Sequence, residues 1–291
     1  MATATPWNTP ARTPRSLTLG EHKVTWLPDG FVQLDPRRWL PGTTDADWAG
    51  ENAGLLDPEG YLAASIGALL IEYRGRAMLV DAGFGPHDIP AAHTHPTLGV
   101  LVGGALPAAL ASTGVDPAAV ELIAFSHLHD DHFGWAFRPG QGAATPFTAA
   151  VFAASAAEWA GWPQQPDGSG GRLRAVADGE EVFPGVTARV TPGHTAGHTS
   201  YVLRAGGRRL IAFGDVFHTP AQFARPDWPV AMDALPEQGV ASRQALLAEL
   251  AEPGTVAFAN HFADVVFGRL DLTSGTARWE PLEETRDHIH N

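Results

Sequence analysis

Short runs that are apolar throughout, or that alternate between hydrophobic and polar positions, recur along the chain. Gly, Pro or Asp follows most of them. Such runs are typical of β-strands. The pattern predicts strands at 24–27, 31–34, 65–73, 77–80, 121–125, 150–153, 186–190, 201–203, 209–213 and 256–259. Helical spacing covers roughly 98–112, a short stretch from Asp116, 154–160 and roughly 236–251. We expect the first two strands to flank a turn and the next two to form a hairpin.

Three segments lack this periodicity. Residues 1–16 are rich in Thr, Pro and Ala, and we expect them to be a flexible N-terminal arm before a single domain at 17–291. Residues 35–60 form a long loop with two tryptophans, Trp39 and Trp48. That loop either shapes a pocket entrance or runs over the surface with its tryptophans against the core. Residues 163–171 have the composition of a surface loop.

Composition narrows the class of protein. A hydrophobic content of 44% and a charged content of 18% are ordinary for a globular enzyme of 291 residues. No apolar stretch approaches the ~18 residues of a membrane span, and the N-terminus lacks a signal-peptide pattern, so we expect a cytoplasmic protein without a membrane partner. The absence of cysteine excludes disulfides and thiolate ligands, and a net charge of −13 argues against binding nucleic acid.

The richest chemistry lies in residues 126–132, Ser-His-Leu-His-Asp-Asp-His, directly after an apolar strand. If that strand continues slightly, His127 and His129 project side by side and could hold one metal ion. Asp131 and His132 follow where the chain must turn, and could reach a second ion. Imidazole and carboxylate are ligands of zinc and similar divalent metals. The alternative is a set of solvated loop histidines, or histidines that cap a following helix.

Other potential ligands also follow strands. Asp81, His194, Asp215 and His261 each come immediately after an apolar run. Strand ends that meet at one edge of a packed sheet would present these side chains as one site.

In chain order the signatures are Asp81, the 126–132 segment, His194, Asp215 and His261. This set of five resembles that of the metallo-β-lactamase superfamily, and the resemblance spans about residues 20 to 280. It implies an α/β fold, a four-layer αβ/βα sandwich of two mixed β-sheets flanked by helices. It also implies two divalent metal ions, with zinc as the default and manganese, iron or cobalt feasible. The family pattern gives one ion to His127, His129 and His194 and the other to Asp131, His132 and His261. Asp215 would bridge the ions, and Asp81 would orient ligand groups.

Further residues narrow the resemblance. An Asp at the bridge and a His at position 129 do not fit the thiolate-ligated β-lactamases or the flavin-partnered di-iron oxidases. The runs around Asp215 and His261 resemble the branch that contains methyl parathion hydrolase, with N-acyl-homoserine lactonases as neighbours. Many of those lactonases carry a Tyr three places after the bridging Asp, where this chain has His218. His218 is therefore either a hydrogen-bond donor in catalysis or a packed His, and His198 resembles a residue that supports the site.

The resemblance implies a dinuclear hydrolase in which a bridging hydroxide attacks an ester, lactone or phosphotriester of a small molecule. We expect Asp131 or Asp215 to carry the proton after attack, and we place His218 and His198 with them as catalytic candidates. A homodimer is compatible with the sequence. The alternatives are an iron-dependent oxygenase such as a persulfide dioxygenase, and a biosynthetic thioesterase or cyclase.

Other aromatic and histidine side chains stand outside this ligand pattern. Four aromatic residues near the motifs either line the pocket or pack in the core: Phe84, Trp135, Phe223 and Trp228. Four further histidines are expected in a loop and in the C-terminal tail, away from the site: His93, His95, His288 and His290.

Overall fold

The computed structural model describes residues 4–137, 144–162, 172–273 and 275–282. Within these ranges, β-strands form two mixed sheets. The strands of the first sheet are β1 (Arg15–Leu19), β2 (His22–Leu34), β3 (Leu62–Tyr73), β4 (Arg76–Val80), β5 (Asp88–Ile89), β6 (Leu98–Val102), β7 (Val120–Ala124), β8 (Val151–Ser155) and β9 (Leu173–Val176). The strands of the second are β10 (Glu181–Phe183), β11 (Val186–Val190), β12 (Thr199–Ala205), β13 (Arg208–Ala212), β14 (Thr255–Phe258), β15 (Phe267–Asp271) and β16 (Arg278–Pro281).

The helices are short apart from the last. They are α1 (Pro36–Trp39), α2 (Leu106–Thr113), α3 (Asp130–Phe137), α4 (Ala156–Gly161), α5 (Ala221–Ala224) and α6 (Pro236–Leu250). Short 3-10 helices lie at Gly50–Leu55, Ala91–His93, Pro117–Ala119 and Gly214–Val216.

Each sheet contains both parallel and antiparallel pairs of strands. The first sheet runs β5-β6-β2-β3-β4-β7-β8-β9, with β1 beside β2, and the pairs β4–β7, β7–β8 and β8–β9 are parallel. The second sheet runs from β10 to β16 in chain order, and its β13–β14 pair is parallel. Both sheets are therefore mixed, as expected from the sequence.

The two sheets pack face to face with helices outside them. Trp26 of the first sheet and Phe258 of the second meet in the central core with ring centroids 5.3 Å apart. Leu110 of α2 and Phe133 of α3 cover the outer face of the first sheet, while Leu246 of α6 covers the second. Burying side chains of this size stabilises the fold by about 1.5–3 kcal/mol each. This is the four-layer sandwich that the resemblance implied.

Two predicted elements differ from the structure. The strands expected at 24–27 and 31–34 are one strand, β2, whose register against β3 shifts between Pro28 and Gly30. The segment expected to be helical from 98 begins as β6, and the helix starts only at Leu106. An apolar run such as Leu98–Val102 suits either state, and pairing with β2 decides for the strand. The surface loop expected at 163–171 lies outside the described residues.

The N-terminal segment is not a loose arm in its described part. Asn8 and Ala11 are buried. The backbone N–H of Ala11 donates to Ser65 Oγ at 2.8 Å, and that of Asp264 donates to the carbonyl of Pro6 at 2.9 Å. Composition suggested flexibility, but these hydrogen bonds and apolar contacts hold residues 4–14 against both sheets. Among the described residues, no helix has the length and apolar character that crossing a membrane requires.

The strand ends that carry the site meet at one edge of the sandwich. Strands β4 and β7 are parallel, so Asp81 and the 126–132 segment emerge side by side. In the second sheet β11, β13 and β14 run in the same direction, which brings His194, Asp215 and His261 to the same edge. The N–H of Thr199 donates to the carbonyl of Ser126 at 2.8 Å and joins the two sheets there.

Candidate metal centre

The 126–132 segment reaches the site by a different route from the one predicted. Strand β7 ends at Ala124, so the next residues leave the sheet and α3 begins at Asp130. His127 and His129 are therefore not neighbours on one face of a strand. Their side chains still meet, with His127 Nε2 2.9 Å from His129 Nδ1. A loop and not a strand brings the two side chains together.

Three histidines form the first group of potential ligand atoms. His194 Nε2 lies 3.1 Å from His129 Nδ1, which in turn lies beside His127 Nε2. These three atoms lie within 4.8 Å of one another and could hold one metal ion. His194 comes from the loop after β11, so the group joins both sheets.

A second group lies beside the first and includes the start of α3. Its members are Asp131, His132 and His261. His132 Nε2 lies 3.5 Å from Asp131 Oδ2, and His261 Nε2 lies 3.7 Å from the same oxygen. Within this group Asp131 is the most accessible, with a side chain 22% exposed.

Asp215 lies between the two groups. Its Oδ2 is 3.3 Å from His194 Nε2, and its Oδ1 is 3.3 Å from His132 Nε2 and 3.1 Å from His261 Nε2. The short turn at Gly214–Val216 after β13 holds the carboxylate there, buried. Its two oxygens therefore lie beside both groups of potential ligand atoms.

The Nδ1 atoms of three site histidines, which face away from the other ligand atoms, contact protein oxygen atoms. His132 Nδ1 lies 2.9 Å from Asp81 Oδ2, His261 Nδ1 lies 2.8 Å from the carbonyl of Ser65, and His127 Nδ1 lies 3.0 Å from Ser126 Oγ. A carbonyl or carboxylate oxygen can only accept, so the Nδ1 atoms of His132 and His261 carry a proton. The Ser126 hydroxyl donates to Asp81 Oδ2 at 2.9 Å, so its oxygen is left to accept from His127 Nδ1. The Nε2 atoms then face the site, which is the orientation that a metal ligand needs.

Burial, neighbouring histidines and neighbouring carboxylates together determine the charges of the site histidines. Burial, together with His194, lowers the pKa of His129 to about 4, and burial also lowers the pKa of His127. Burial would also lower the pKa of His132. The nearby carboxylates of Asp215, Asp131 and Asp81 outweigh it and raise that pKa well above the ordinary value. Burial would raise the pKa of Asp215, but the surrounding histidines hold it well below its usual range. His127 and His129 are therefore neutral and Asp215 is ionised, as ligands of a divalent cation must be, whereas His132 holds a proton that a bound cation would displace.

Unsatisfied hydrogen-bonding atoms and the spacing of the donor atoms both fit bound metal. Although buried, His132 Nε2 and Asp215 Oδ1 form no hydrogen bond with any group in the described ranges. Two ligands on one tetrahedral zinc at about 2.0–2.1 Å lie about 3.3 Å apart. The distances between neighbouring donor atoms of His127, His129, His194, His132 and Asp215 are 2.9–3.8 Å, on either side of that value.

His218 and His198 occupy different positions relative to the site. His218 Nε2 lies 3.1 Å from Asp215 Oδ2, and its ring stacks on His261 and meets the edge of Trp39 at 5.1 Å. Burial lowers the pKa of His218 to about 4. Trp39 from the 35–60 loop therefore packs against the core and against a site residue.

His198 lies behind the site and not in it. Its Nε2 accepts the backbone N–H of Asp215 at 3.0 Å, and its Nδ1 lies 2.9 Å from Thr191 Oγ1. Both ring nitrogens are thus engaged by protein groups, and the ring is fully buried. The catalytic role expected for His198 does not suit this position, and we assign it to holding the Asp215 backbone.

Two buried carboxylates near the site were not found from the sequence. Glu158 accepts from the N–H groups of Leu128 and Gly197 at 3.1 and 3.0 Å, and so joins the loops that carry His129 and His194. Asp233 Oδ1 lies 3.2 Å from His194 Nδ1. Glu158 sits three residues after Ser155, a spacing that suggests only helix capping, and no sequence pattern marks Asp233.

The remaining candidates lie apart from the ligand groups. Phe223 and Trp228 are buried in hydrophobic clusters, Phe84 packs on His87, and Trp135 donates its Nε1–H to Asp29. His93 and His95 are exposed, and His288 and His290 lie outside the described residues. The core-packing interpretation is correct for Phe223 and Trp228.

Solved structures with the same fold include enzymes of known chemistry. AidC, described as a dizinc quorum-quenching lactonase in complex with a product, has a TM-score of 0.79 at 20% identity, over 94% of this chain and 99% of that chain. The hydrolase AbOPH has a TM-score of 0.78 at 22% identity, over 95% and 99%. An AiiA mutant from B. thuringiensis with N-decanoyl-L-homoserine bound has a TM-score of 0.62 at 21% identity, over 86% and 94%. Likeness at this identity shows the fold alone.

The sequence comparisons identify the family. No curated protein matches the chain. The profile of the metallo-beta-lactamase superfamily matches residues 66–261, which include Asp81 and every potential ligand from His127 to His261. The chain belongs to the metallo-β-lactamase superfamily.

Proposed function

We propose that the protein is a dinuclear metal-dependent hydrolase that cleaves an ester or lactone bond in a small molecule. The observation that carries this proposal is the position of Asp215 between two groups of histidine and aspartate ligand atoms. One carboxylate between two such groups supports a pair of ions that share it.

We assign the first ion to His127, His129 and His194 and the second to Asp131, His132 and His261, with Asp215 shared. Zinc is the expected metal, because neutral imidazole and carboxylate donors without cysteine suit it. When bound, two such ions lower the pKa of a shared water from 15.7 towards about 7 and polarise the bond under attack.

Asp131 is the residue we assign to proton transfer. Its carboxylate is 22% exposed, whereas that of Asp215 is 5% exposed and surrounded by histidines. A group that passes a proton to solvent needs such access. Although burial opposes it, His132 and His261 lower the pKa of Asp131, so its Oδ2 is an unprotonated acceptor at neutral pH.

We assign His218 as a hydrogen-bond donor to the oxygen that becomes negative during the reaction. Its Nε2 lies beside Asp215, at the centre of the ligand groups, and the ring is held between Trp39 and His261. With a pKa of about 4 the ring is neutral at pH 7 and keeps one N–H to donate. A fixed donor in a buried site stabilises developing charge without reorganisation.

The choice of an ester or lactone rests on support from similar structures. AidC and AiiA are described with homoserine lactone products or related ligands, and both share this fold. A phosphotriester is the next substrate to test, because of the resemblance of the Asp215 and His261 segments to methyl parathion hydrolase. Thioester cleavage and iron-dependent oxygenation remain the competing functions.

A metal analysis combined with a substrate panel tests the proposal. We expect two metal equivalents in the fully loaded protein and turnover of lactones or aryl esters in a panel that also contains thioesters and phosphotriesters. Fewer than two equivalents, with no hydrolysis of any substrate, would refute it. Iron together with oxygen consumption would favour the oxygenase.

The two adjacent aspartates provide a matched control. Asp131→Asn removes a proposed ligand and proton acceptor, whereas Asp130→Asn changes an exposed carboxylate one position away. We expect Asp131→Asn to lose one metal equivalent and most activity, and Asp130→Asn to retain both.

A further inference from the structure

A buried ion pair lies directly behind His194. Asp233 Oδ1 is 3.2 Å from His194 Nδ1, and Asp233 Oδ2 is 3.3 Å from Arg243 Nη1. The side chains of Asp233 and Arg243 are 0% and 1% exposed. Charges removed so completely from water cost free energy unless each has a close partner. His194 and Arg243 are those partners for the two carboxylate oxygens.

The backbone holds Asp233 against the loop that carries His194. The N–H of Ala234 donates to the carbonyl of His194 at 3.0 Å, and the N–H of Leu235 donates to that of Gly193 at 2.9 Å. The contact between Asp233 and His194 is therefore fixed by main-chain hydrogen bonds, independently of the side chains.

Helix α6 approaches this loop so closely that side chains are excluded at the contact. A Cβ on Gly193 would lie 2.2 Å from Gly239 Cα, and a Cβ on Gly239 would lie 2.7 Å from Asp233 Oδ2. Arg243 follows Gly239 by four positions, so it lies on the same face of α6. The two glycines let the helix bring Arg243 to the carboxylate.

Arg243 also has a fixed orientation. Its Nε donates to the carbonyl of Pro226 at 3.0 Å, and Ser242 Oγ beside it donates to the carbonyl of Pro192 at 2.6 Å. The guanidinium therefore approaches Asp233 from one direction only and leaves the other oxygen to His194.

We propose that Asp233 and Arg243 are positioning residues for the first metal ion. Asp233 accepts the Nδ1–H of His194 and so directs the Nε2 lone pair towards His127 and His129, while Arg243 balances the charge of Asp233 and fixes its orientation. This inference rests on the proposed metal site. Asp81 has the corresponding contact with His132 on the side of the second ion.

The test must separate positioning from a purely structural ion pair. The double variant Asp233→Leu/Arg243→Met replaces both charges with apolar groups of similar size, a change that often leaves stability intact. It also removes the acceptor for His194. Arg243→Met alone leaves a buried carboxylate without its cation and is expected to be less stable than the double variant.

The decisive measurement is competition for metal between the protein and a chelator. Removing an orienting partner of a ligand typically weakens metal binding roughly 10–100-fold. We expect that loss for one metal equivalent in the double variant, with the other equivalent unchanged. Asp81→Asn should weaken the other equivalent. The exposed pair Arg76–Glu121, replaced by Arg76→Gln/Glu121→Gln, serves as the control and should bind both equivalents as the wild type does.

A second readout does not depend on metal. The ¹⁵N shifts of the His194 ring in the metal-free protein should show a protonated, hydrogen-bonded Nδ1, and this signature should disappear in the double variant. If the wild type binds fewer than two metals, the proposed function fails while the ring shifts still test the contact. A double variant with wild-type affinity for both equivalents, or a wild-type His194 without a proton on Nδ1, would overturn the inference.

Discussion

Asp215 Oδ1 lies 3.3 Å from His132 Nε2, and both atoms are buried without a hydrogen bond to any described residue. Leaving a buried acceptor unsatisfied costs about 1–3 kcal/mol. At Asp215 this cost falls where the proposed ligands of the two ions meet. A cation between them would satisfy both atoms, which makes Asp215 the most informative residue to change.

Asp215→Asn should abolish the dinuclear site. The amide keeps one neutral oxygen but loses the charge that two ions would share, so we expect the metal content to fall below two equivalents. Hydrolysis should fall by more than the roughly 10–100-fold typical for residues that only orient ligands. Metal analysis and initial rates measure both effects. Asp227→Asn, at an exposed carboxylate paired with Arg225, should have no effect. Two tightly bound metals and full turnover in Asp215→Asn would contradict the bridging role.

His218→Phe should lower kcat while leaving the metals in place. Phenylalanine preserves the ring contacts with Trp39 and His261 but removes the N–H beside Asp215. Loss of one donor to a developing oxyanion typically reduces kcat about 100-fold or more. Steady-state kinetics and metal analysis check this.

The neighbouring Thr219→Val provides the control for repacking, because Thr219 is equally buried. It should keep most of its activity. An unchanged kcat in His218→Phe would assign His218 to packing alone.

The stability of the metal-free protein should fall in acid because of His198. Burial, together with His194, lowers the pKa of His198 to about 3, against an ordinary value of 6.5. Between these values the unfolded chain binds a proton that the folded chain does not, so stability is lost as the pH falls from about 6.5 towards 3. One such proton changes the free energy of unfolding by about 1.4 kcal/mol per pH unit.

Urea unfolding of the metal-free protein at a series of pH values measures this slope. His198→Gln, whose amide oxygen can still accept the Asp215 N–H, should show a shallower dependence than the wild type. The exposed His93, changed to Gln, should leave the slope unchanged. Parallel curves for the wild type and His198→Gln would contradict the prediction.

The sequence indicated which side chains would lie together because the proposed ligands follow strands. Asp81, Asp215 and His261 each come within three residues of a strand end, so their positions follow from the order of strands alone. Glu158 and Asp233 could not be predicted in this way. Asp233 lies 39 residues from His194 along the chain, and Glu158 lies 30 from Leu128. Their roles depend on the packing of helices against loops, which hydrophobic periodicity does not encode.

Hydrophobic periodicity also predicted the fold. The errors of that prediction have a physical cause. The 98–102 segment is apolar at nearly every position, so its pattern suits a helix or a buried strand. Its pairing with β2 decides the outcome. Thr and Pro in residues 4–14 suggested disorder, yet the contact of Ala11 with Ser65 depends on a residue 54 positions away.

Gly134→Ala should destabilise the protein, although the same change in an exposed helix interior usually adds about 1 kcal/mol of stability. Gly134 lies within α3, three residues after Asp131, and its N–H donates to the carbonyl of Gly83 at 2.7 Å. A Cβ there would lie 2.1 Å from both the carbonyl carbon and the oxygen of Phe84. Backbone cannot move aside as a flexible side chain can, so α3 must shift and carry Asp131 and His132 with it. We expect lower stability in urea unfolding together with weaker binding of one metal equivalent.

Gly161→Ala, at the end of α4 where a Cβ meets no atom within 4 Å, should be neutral or slightly stabilising. If Gly134→Ala behaved like Gly161→Ala, the close approach of α3 to the Phe84 backbone would not be what positions Asp131 and His132.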